Sequence, residues 1–521
     1  MIGQEFAHVL TTAAPRVVAA CDLTNRDDLV AELRHRDAPP RSDDDGDLVA
    51  ALLSVYGPET ARRLRGSFAF AAATPDGDVL ARDPFGLRGL HYTAVGGGLA
   101  VASTLAGVAA LGEATPSLDL TAFTDLALVG RLAGTRTALA GIHAARPGHV
   151  TEVDRHGVAT STRFHHLPAS APSTRPLAES GRALVDSLRE VLSGCGPGAA
   201  VALSGGLDSA LLAAIRAEVG AARAWVLREG TQHPDAVHAH RVARSLGLRV
   251  HTVDIDHSAF LAVVPGYLAA AGQPTGLGSV GTCLLLRAVD PDQPVLSGEG
   301  ADDVFGGYGD YLQTMKDRAA VLRRADALAA QGFTPSAEAA ALIDRINAVT
   351  TYPEYAAVFA ALHELGPYTG RDAHLTAALA HRAGRDLRLP FLDAPFLDRA
   401  VALPAEHKVD HTTGIDKRVL RHAVLAAFGD NDAVVDSVLR RKFGAPSSVR
   451  GSQERYADAS ARAVTAEQHR RHPLGAFATT PAELAVMDLF ARVYGHWRGS
   501  PPEGYSAADH LAEWTSAAVQ A

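Results

Sequence analysis

The chain has 521 residues, 47% of them hydrophobic, and a formal net charge of −9 at pH 7. That length implies two or three domains of roughly 100–200 residues each with ample cores, and the acidic balance argues against a broad basic face for nucleic acid. Three scattered cysteines, Cys21, Cys195 and Cys283, with no Cys-x-x-Cys spacing, argue against a disulfide framework or a zinc site. The first residues show no basic segment followed by an apolar one, so no secretory signal is read. No run of about 18 uncharged apolar residues occurs, so no membrane span is expected. The expected location is the cytoplasm.

Up to about Leu167, short apolar runs alternate with turn signals. Ser67–Ala73 and Asp78–Ala81, joined through Thr74-Pro-Asp-Gly77, read as a hairpin. His91–Ala94 and Leu99–Ala102, joined through Val95-Gly-Gly-Gly98, read as another, while Asp47–Tyr56 and Asp119–Leu132 read as helices. This predicts an α+β domain built on antiparallel strands. A Pro/Ser-rich linker follows, Pro168–Pro176. Beyond it strand and helix patterns alternate, with Ala199–Leu203, Ala224–Leu227, Arg249–Ile255 and Val295–Ser297 as strands, the signature of a parallel sheet covered on both faces. Past about Tyr308 the chain reads mostly helical, and Asp317–Leu342 reads as an ordinary bundle helix rather than a coiled coil. The domains expected are 1–167, a linker 168–180, and 181–521.

The most informative segment is Val201-Ala-Leu-Ser-Gly-Gly-Leu-Asp-Ser-Ala210. A buried strand breaks into Ser204-Gly205-Gly206 and then into a helix. Free N–H groups and the positive end of the helix dipole make an anion site there. Ser204 and Ser209 add hydroxyl donors, and Asp208 can hold Mg²⁺ beside them. The spacing is neither a Walker loop nor a dinucleotide fingerprint. In a second segment, Pro294–Tyr308, a strand ends in Ser297-Gly298 and presents Glu299, Asp302 and Asp303 on a glycine-rich loop. Loops at the carboxyl ends of parallel strands face one crevice, so Asp208 and Asp302 are a candidate Mg²⁺ pair. Three further segments put charge beside apolar anchors: Arg388–Asp398, Gly414–Arg421 and Arg440–Gly444. Lys417 and Lys442 within them could bind a phosphate or stabilise an oxyanion.

Together the five segments resemble the synthetase domain of the class B asparagine synthetase superfamily, which includes asparagine synthetases, β-lactam synthetases and lasso-peptide macrolactam cyclases. The resemblance covers roughly Leu184 to Ser448. It implies an α/β protein: an N-terminal Ntn-hydrolase-like α+β domain of antiparallel sheets, then an ATP-pyrophosphatase-type parallel sheet domain with a helical C-terminal part. It also implies ATP and Mg²⁺, a carboxylate that is adenylated with loss of pyrophosphate, and an amine that attacks the acyl-AMP. By the same resemblance Ser204, Gly205, Gly206, Asp208 and Ser209 form the pyrophosphate loop. Val201, Leu203 and Leu227 grip adenine, Gly298 meets the nucleotide through its backbone, and Asp302 is the second metal carboxylate. Lys442 contacts the acyl-phosphate region, with Lys417 on the preceding helix. Glu299 matches asparagine synthetases, where β-lactam synthetases usually carry Tyr. Small-molecule or peptide carboxylates and amines are the partners implied, with no nucleic acid or membrane, and a homodimer is compatible.

The front segment resembles the family's glutaminase domain through Asp22–Arg26, Arg65–Phe70 and Ala81–Tyr92. That domain works through an N-terminal Cys. Here Met1 is followed by Ile2, Gly3 and Gln4, the first cysteine is Cys21 inside a strand, and Asp45 is the candidate remnant of the glutamine-binding aspartate. A relic that does not hydrolyse glutamine is expected, unless the chain starts further upstream with a Cys. The leading reading is therefore an amide ligase whose amine does not come from glutamine, with cyclisation and intermolecular ligation level. The alternatives are a glutamine-hydrolysing asparagine synthetase and a silent binding protein. Ala271–Thr282 is expected to border the acyl substrate. His233 and His238 are expected near the nucleotide.

Overall fold

In this computed structural model the residues described are 5–10, 17–74, 77–96, 98–112, 115–154, 156–166, 175–196, 198–220, 223–230, 233–307, 318–348, 371–410, 412–413, 415–440 and 449–520. The linker core, Tyr308 and Lys442 lie outside them. The strands of the first half are β1 (Ala7–Leu10), β2 (Val17–Leu23), β3 (Gly66–Thr74), β4 (Gly77–Arg82), β5 (His91–Val95), β6 (Gly98–Ala102), β7 (His143–Ala144), β8 (His149–Val153) and β9 (Ala159–Arg163). They form two antiparallel sheets, in the orders β2-β3-β4-β8-β9 and β1-β6-β5-β7. Alternation along the strands builds two cores. Ala69, Ala71 and Leu80 meet Leu99 and Val101 between the sheets, while Phe68, Phe70 and Ala81 meet Leu33, Val49 and Leu52 on the other side. Those last three residues belong to the Arg26–His35 and Asp45–Tyr56 helices. Both expected hairpins form. The Asp119–Leu132 expectation shortens to Leu120–Val129 because Gly130 ends the helix at φ +72°.

The second half carries β10 (Ala200–Ala202), β11 (Arg223–Arg228), β12 (Arg249–Asp254), β13 (Val295–Leu296) and β14 (Leu387–Arg388), all parallel, in the order β12-β11-β10-β13-β14. β14 escapes sequence reading because two residues show no period. Helices Leu177–Ser193, Leu207–Glu218 and Arg418–Phe428 pack one face with Val201 and Leu203. The stretch read as one bundle helix is two, Arg318–Ala329 and Ala337–Ala348, broken where Gly332 takes φ +86°. No described helix is long and apolar enough to cross a membrane.

The two halves share one apolar core. Leu105, Val108 and Phe123 pack with Tyr267, Phe477 and Phe490, with Phe123 5.8 Å from Phe477 between ring centroids. Burial of aromatic surface of this kind favours a fixed docking over a hinge.

Candidate active site

β10 and β13 are neighbours, with Ala200 opposite Val295 and Val201 opposite Leu296. Their carboxyl-end loops therefore emerge side by side, the position where open parallel sheets bind ligands. After β10 the chain turns at Gly205 (φ +77°) and enters the Leu207–Glu218 helix with Gly206 as N-cap. No side chain caps this helix, so its first N–H groups point at the crevice mouth. The Ser204 and Ser209 hydroxyls lie 3.0 Å apart across the turn, and Ser209 Oγ donates to the Gly206 carbonyl at 3.1 Å. Both hydroxyls can turn from these partners to an anion.

The second loop lies against the first. A Cβ on Gly298 would sit 3.0 Å from Asp208 Cβ and 3.3 Å from Ser209 N, so glycine permits the approach. Asp302 lies at the start of the short Ala301–Phe305 helix, facing Asp208. Between them sits Lys417, whose Nζ is 2.6 Å from Asp208 Oδ2 and 2.6 Å from Asp302 Oδ1. Asp208 and Lys417 are buried, each side chain 5% exposed. Lys417 adopts φ +49° as N-cap of the Arg418–Phe428 helix, and its N–H donates to the Phe305 carbonyl at 3.2 Å. A left-handed non-glycine residue stores strain, which concentrates at functional sites. Gly307 makes room for the lysine, since a Cβ there would lie 2.3 Å from Lys417 Cε and 2.0 Å from Asp302 Oδ1.

One ammonium thus satisfies two carboxylates at one point. The same pair fits Mg²⁺, which takes hard carboxylate oxygens. The lining also includes Glu299, so carboxylates outnumber the ammonium here, a charge excess that a divalent cation would offset.

The cavity brings together Leu203, Ser204, Asp208, Ser209, Leu227, Gly298, Glu299 and Asp302. Val201 does not join them. It is wholly buried in the core face that it shares with Leu203, and Leu203 reaches the cavity because it lies beyond the end of β10, where the crevice opens. Gly205 and Gly206 are not among the lining residues; they form the turn and the N-cap that lead into the Leu207–Glu218 helix. Of Ala271–Thr282, Thr282 alone lines the cavity among the described residues. His233 caps the Pro234–Ser245 helix and lines the cavity, whereas His238 is buried and shares a 2.8 Å hydrogen bond with Ser437.

Sequence reasoning missed several residues here. Arg440 clamps the glycine turn, donating to the Gly205 carbonyl at 3.0 Å and to Asp235 at 2.6 Å. It lies 235 residues from Gly205 in sequence, beyond any local signal. Trp225, Thr376 and Leu387 line the cavity from strands and helices that carry no motif. The repeated glycine of Gly306-Gly307 was the one available hint of close packing.

In the front half Cys21 lies on β2 opposite Phe68, 5% exposed. Burial, then the neighbouring Asp45 charge, pushes its thiol pKa well up, away from a nucleophilic thiolate. Asp45 accepts the Cys21 N–H at 2.8 Å and pairs with Arg26 at 2.7 Å. A second cavity lies between the halves, lined by Asp22, Arg65 and Ser67 on one side and by Arg388 and Asp393 on the other. Leu387 lines both cavities.

The family model for asparagine synthase matches residues 181–499, and that for a glutamine amidotransferase domain matches residues 10–165. The chain is 30% identical to the carboxyethyl-arginine beta-lactam-synthase of Streptomyces clavuligerus, over 84% of this chain and 75% of that one. It is 27% identical to amidase chyE of Penicillium rubens, over 51% of this chain and 43% of that one. It is also 27% identical to a putative asparagine synthetase [glutamine-hydrolyzing] of Mycobacterium tuberculosis, over 53% of this chain and 45% of that one. Against the latter two relatives, the match spans less than half of their length.

Proposed function

The chain belongs to the asparagine synthase family, an ATP-dependent, amide-forming group, and on that premise we propose that it adenylates a substrate carboxylate and couples it to an amine from a source other than glutamine. The observation that carries this reading is the convergence of Asp208 and Asp302 on one cationic position beside an uncapped helix N-terminus.

The N–H groups of the glycine turn, with Ser204 and Ser209, bind the β- and γ-phosphates, and Leu203 and Leu227 flank the adenine. Asp208 and Asp302 would hold Mg²⁺, which supplies neutralisation of the pyrophosphate charge. A carboxylate oxygen attacks the α-phosphorus, the bond to the β-phosphate oxygen breaks, and pyrophosphate leaves. The amine nitrogen then attacks the acyl carbon, its proton passes to the Glu299 carboxylate, and the acyl–oxygen bond to AMP breaks. Proximity and exclusion of water favour aminolysis over hydrolysis of the acyl-AMP. Lys442, outside the described residues, would contact the acyl-phosphate region, and Lys417 would be released toward the phosphates.

Cys21 supports the reading of the front domain: it is buried within β2, and burial holds its thiol well away from the thiolate that would attack glutamine. The relationship to a β-lactam synthase agrees with an amine supplied otherwise, inside the same molecule or on a second one. Glu299 favours a second reading, asparagine synthesis with glutamine. Two assays decide. Acid-dependent ATP–pyrophosphate exchange with AMP formation is expected, and ammonia release from glutamine is not. Ammonia release would restore the second reading, and the lack of AMP with every acid would defeat both.

A further inference from the structure

Resting on that adenylation reading, we infer that Arg440 is a positioning residue: with Asp235 it holds the Gly205–Gly206 peptide in the orientation that accepts pyrophosphate. Both residues flanking this peptide are glycines, so no Cβ opposes its rotation, and either its N–H or its carbonyl can face the crevice. In a trans peptide the two groups point in opposite directions. The Gly206 N–H points at the Ser204 hydroxyl oxygen, 3.4 Å away, and Ser204 lines the cavity. A contact of that length is weak, and a phosphate oxygen is the stronger acceptor. The Gly205 carbonyl points the other way and accepts from Arg440 Nη1 at 3.0 Å. Turned over, the same peptide would aim its carbonyl oxygen at the phosphates and repel them.

Arg440 is itself held from two sides. It follows the Asp432–Leu439 helix, its N–H donating to the Asp436 carbonyl at 2.9 Å. That helix packs through Val434 and Val438 into the core that contains Leu211 and Ala239. The guanidinium Nη2 lies 2.6 Å from Asp235 Oδ1, with the two side chains 18% and 9% exposed. Asp235 stands in the first turn of the Pro234–Ser245 helix, and the glycine turn is pressed against the same helix. A Cβ on Gly205, at φ +77°, would meet the Asp235 carbonyl oxygen at 2.5 Å and Ala239 N at 3.1 Å. One planar fork thus spans a carbonyl and a carboxylate on different elements, a geometry that a single ammonium nitrogen does not reproduce. The bond to Gly205 is charge-assisted, and the peptide loses it on turning over. Arg440 does not line the cavity, so it acts through the turn and not on the nucleotide.

The test is calorimetric titration of the full chain with Mg-pyrophosphate and, separately, with AMP. Arg440→Met is expected to weaken pyrophosphate binding by about 10–100-fold, the scale for losing a charge-assisted hydrogen bond, and to leave AMP binding unchanged. A general loosening of the fold would weaken both. Arg440→Lys, which can reach one partner at a time, is expected to recover part of the loss. Asp235→Asn is expected to show a smaller loss of the same kind, and these two variants carry the comparison if Arg440→Met does not fold. Parent-like pyrophosphate affinity in a folded Arg440→Met chain, or in both other variants, overturns the inference, as do equal losses for pyrophosphate and AMP. Selective loss of pyrophosphate binding in a protein that forms no AMP with any acid defeats the adenylation reading and keeps the role of Arg440. No binding of pyrophosphate by the parent chain defeats both.

Discussion

Arg388 Nη1 lies 3.0 Å from Asp22 Oδ1, tying the end of β14 to the end of β2. The pair joins the front domain to the strand that carries Leu387, a wall of the cavity at the strand ends. Arg388 also holds Asp386 at 2.8 Å, so its charge is shared between the domains.

Asp22→Asn removes the cross-domain half of this arrangement. Both side chains are partly buried, 24% and 32% exposed, so a loss of about 1–3 kcal/mol is expected. Because the wall beside Leu387 loosens, KM for the acid should rise more than kcat falls. Thermal melting and exchange kinetics check this. Unaltered melting and KM would show that the front domain does not brace the site.

Lys417→Met leaves Asp208 and Asp302 facing one another in a buried site. Without metal the variant should lose about 3–5 kcal/mol, the usual cost of breaking a buried pair. Saturating Mg²⁺ should then raise its melting temperature by more than it raises that of the parent chain, because the cation takes the vacated position. Equal Mg²⁺ shifts in both chains would count against a shared metal and lysine position.

Asp208→Asn should reduce pyrophosphate exchange by about 10²–10³-fold, the scale for losing one preorganised electrostatic group. Glu299→Gln should spare exchange and slow amide formation by about 10²–10⁴-fold, the range for a general base. The two assays on each variant separate the half-reactions. Equal losses for Glu299→Gln in both would remove it from the amine step.

Acid should loosen the domain interface. His374 Nδ1 lies 2.7 Å from the Gly86 carbonyl oxygen and 3.2 Å from Arg82 Nη2, and His381 Nδ1 lies 2.8 Å from Arg88 Nη1. Burial first, then the neighbouring arginine, pushes each down to about 4. The unfolded chain then binds more protons than the folded one below the ordinary histidine pKa near 6.5. Stability is full above that value and falls as pH drops toward about 4, by up to about 1.4 kcal/mol per pH unit for each histidine. His374→Gln should flatten the melting curve's pH dependence between those limits. An unchanged slope would show that this histidine is not the acid-sensitive contact.

Much of the molecule was legible in the chain itself. The glycine turn after β10 and the acidic loop after β13 announce themselves because strand, turn and helix signals lie within a dozen residues of one another, where local sterics decide the outcome. The antiparallel hairpins of the front half are likewise local. What only the tertiary structure decided depends on contacts between distant segments. The alternation of a three-residue strand names its residues without saying which face is wet, so Val201 falls into the core while Ala202 floors a pocket. No spacing rule could place the Lys417 ammonium between Asp208 and Asp302, or Arg440 on Gly205. Short-range backbone preference sets where the loops begin; the packing of whole helices and the neutralisation of buried charge set what those loops meet.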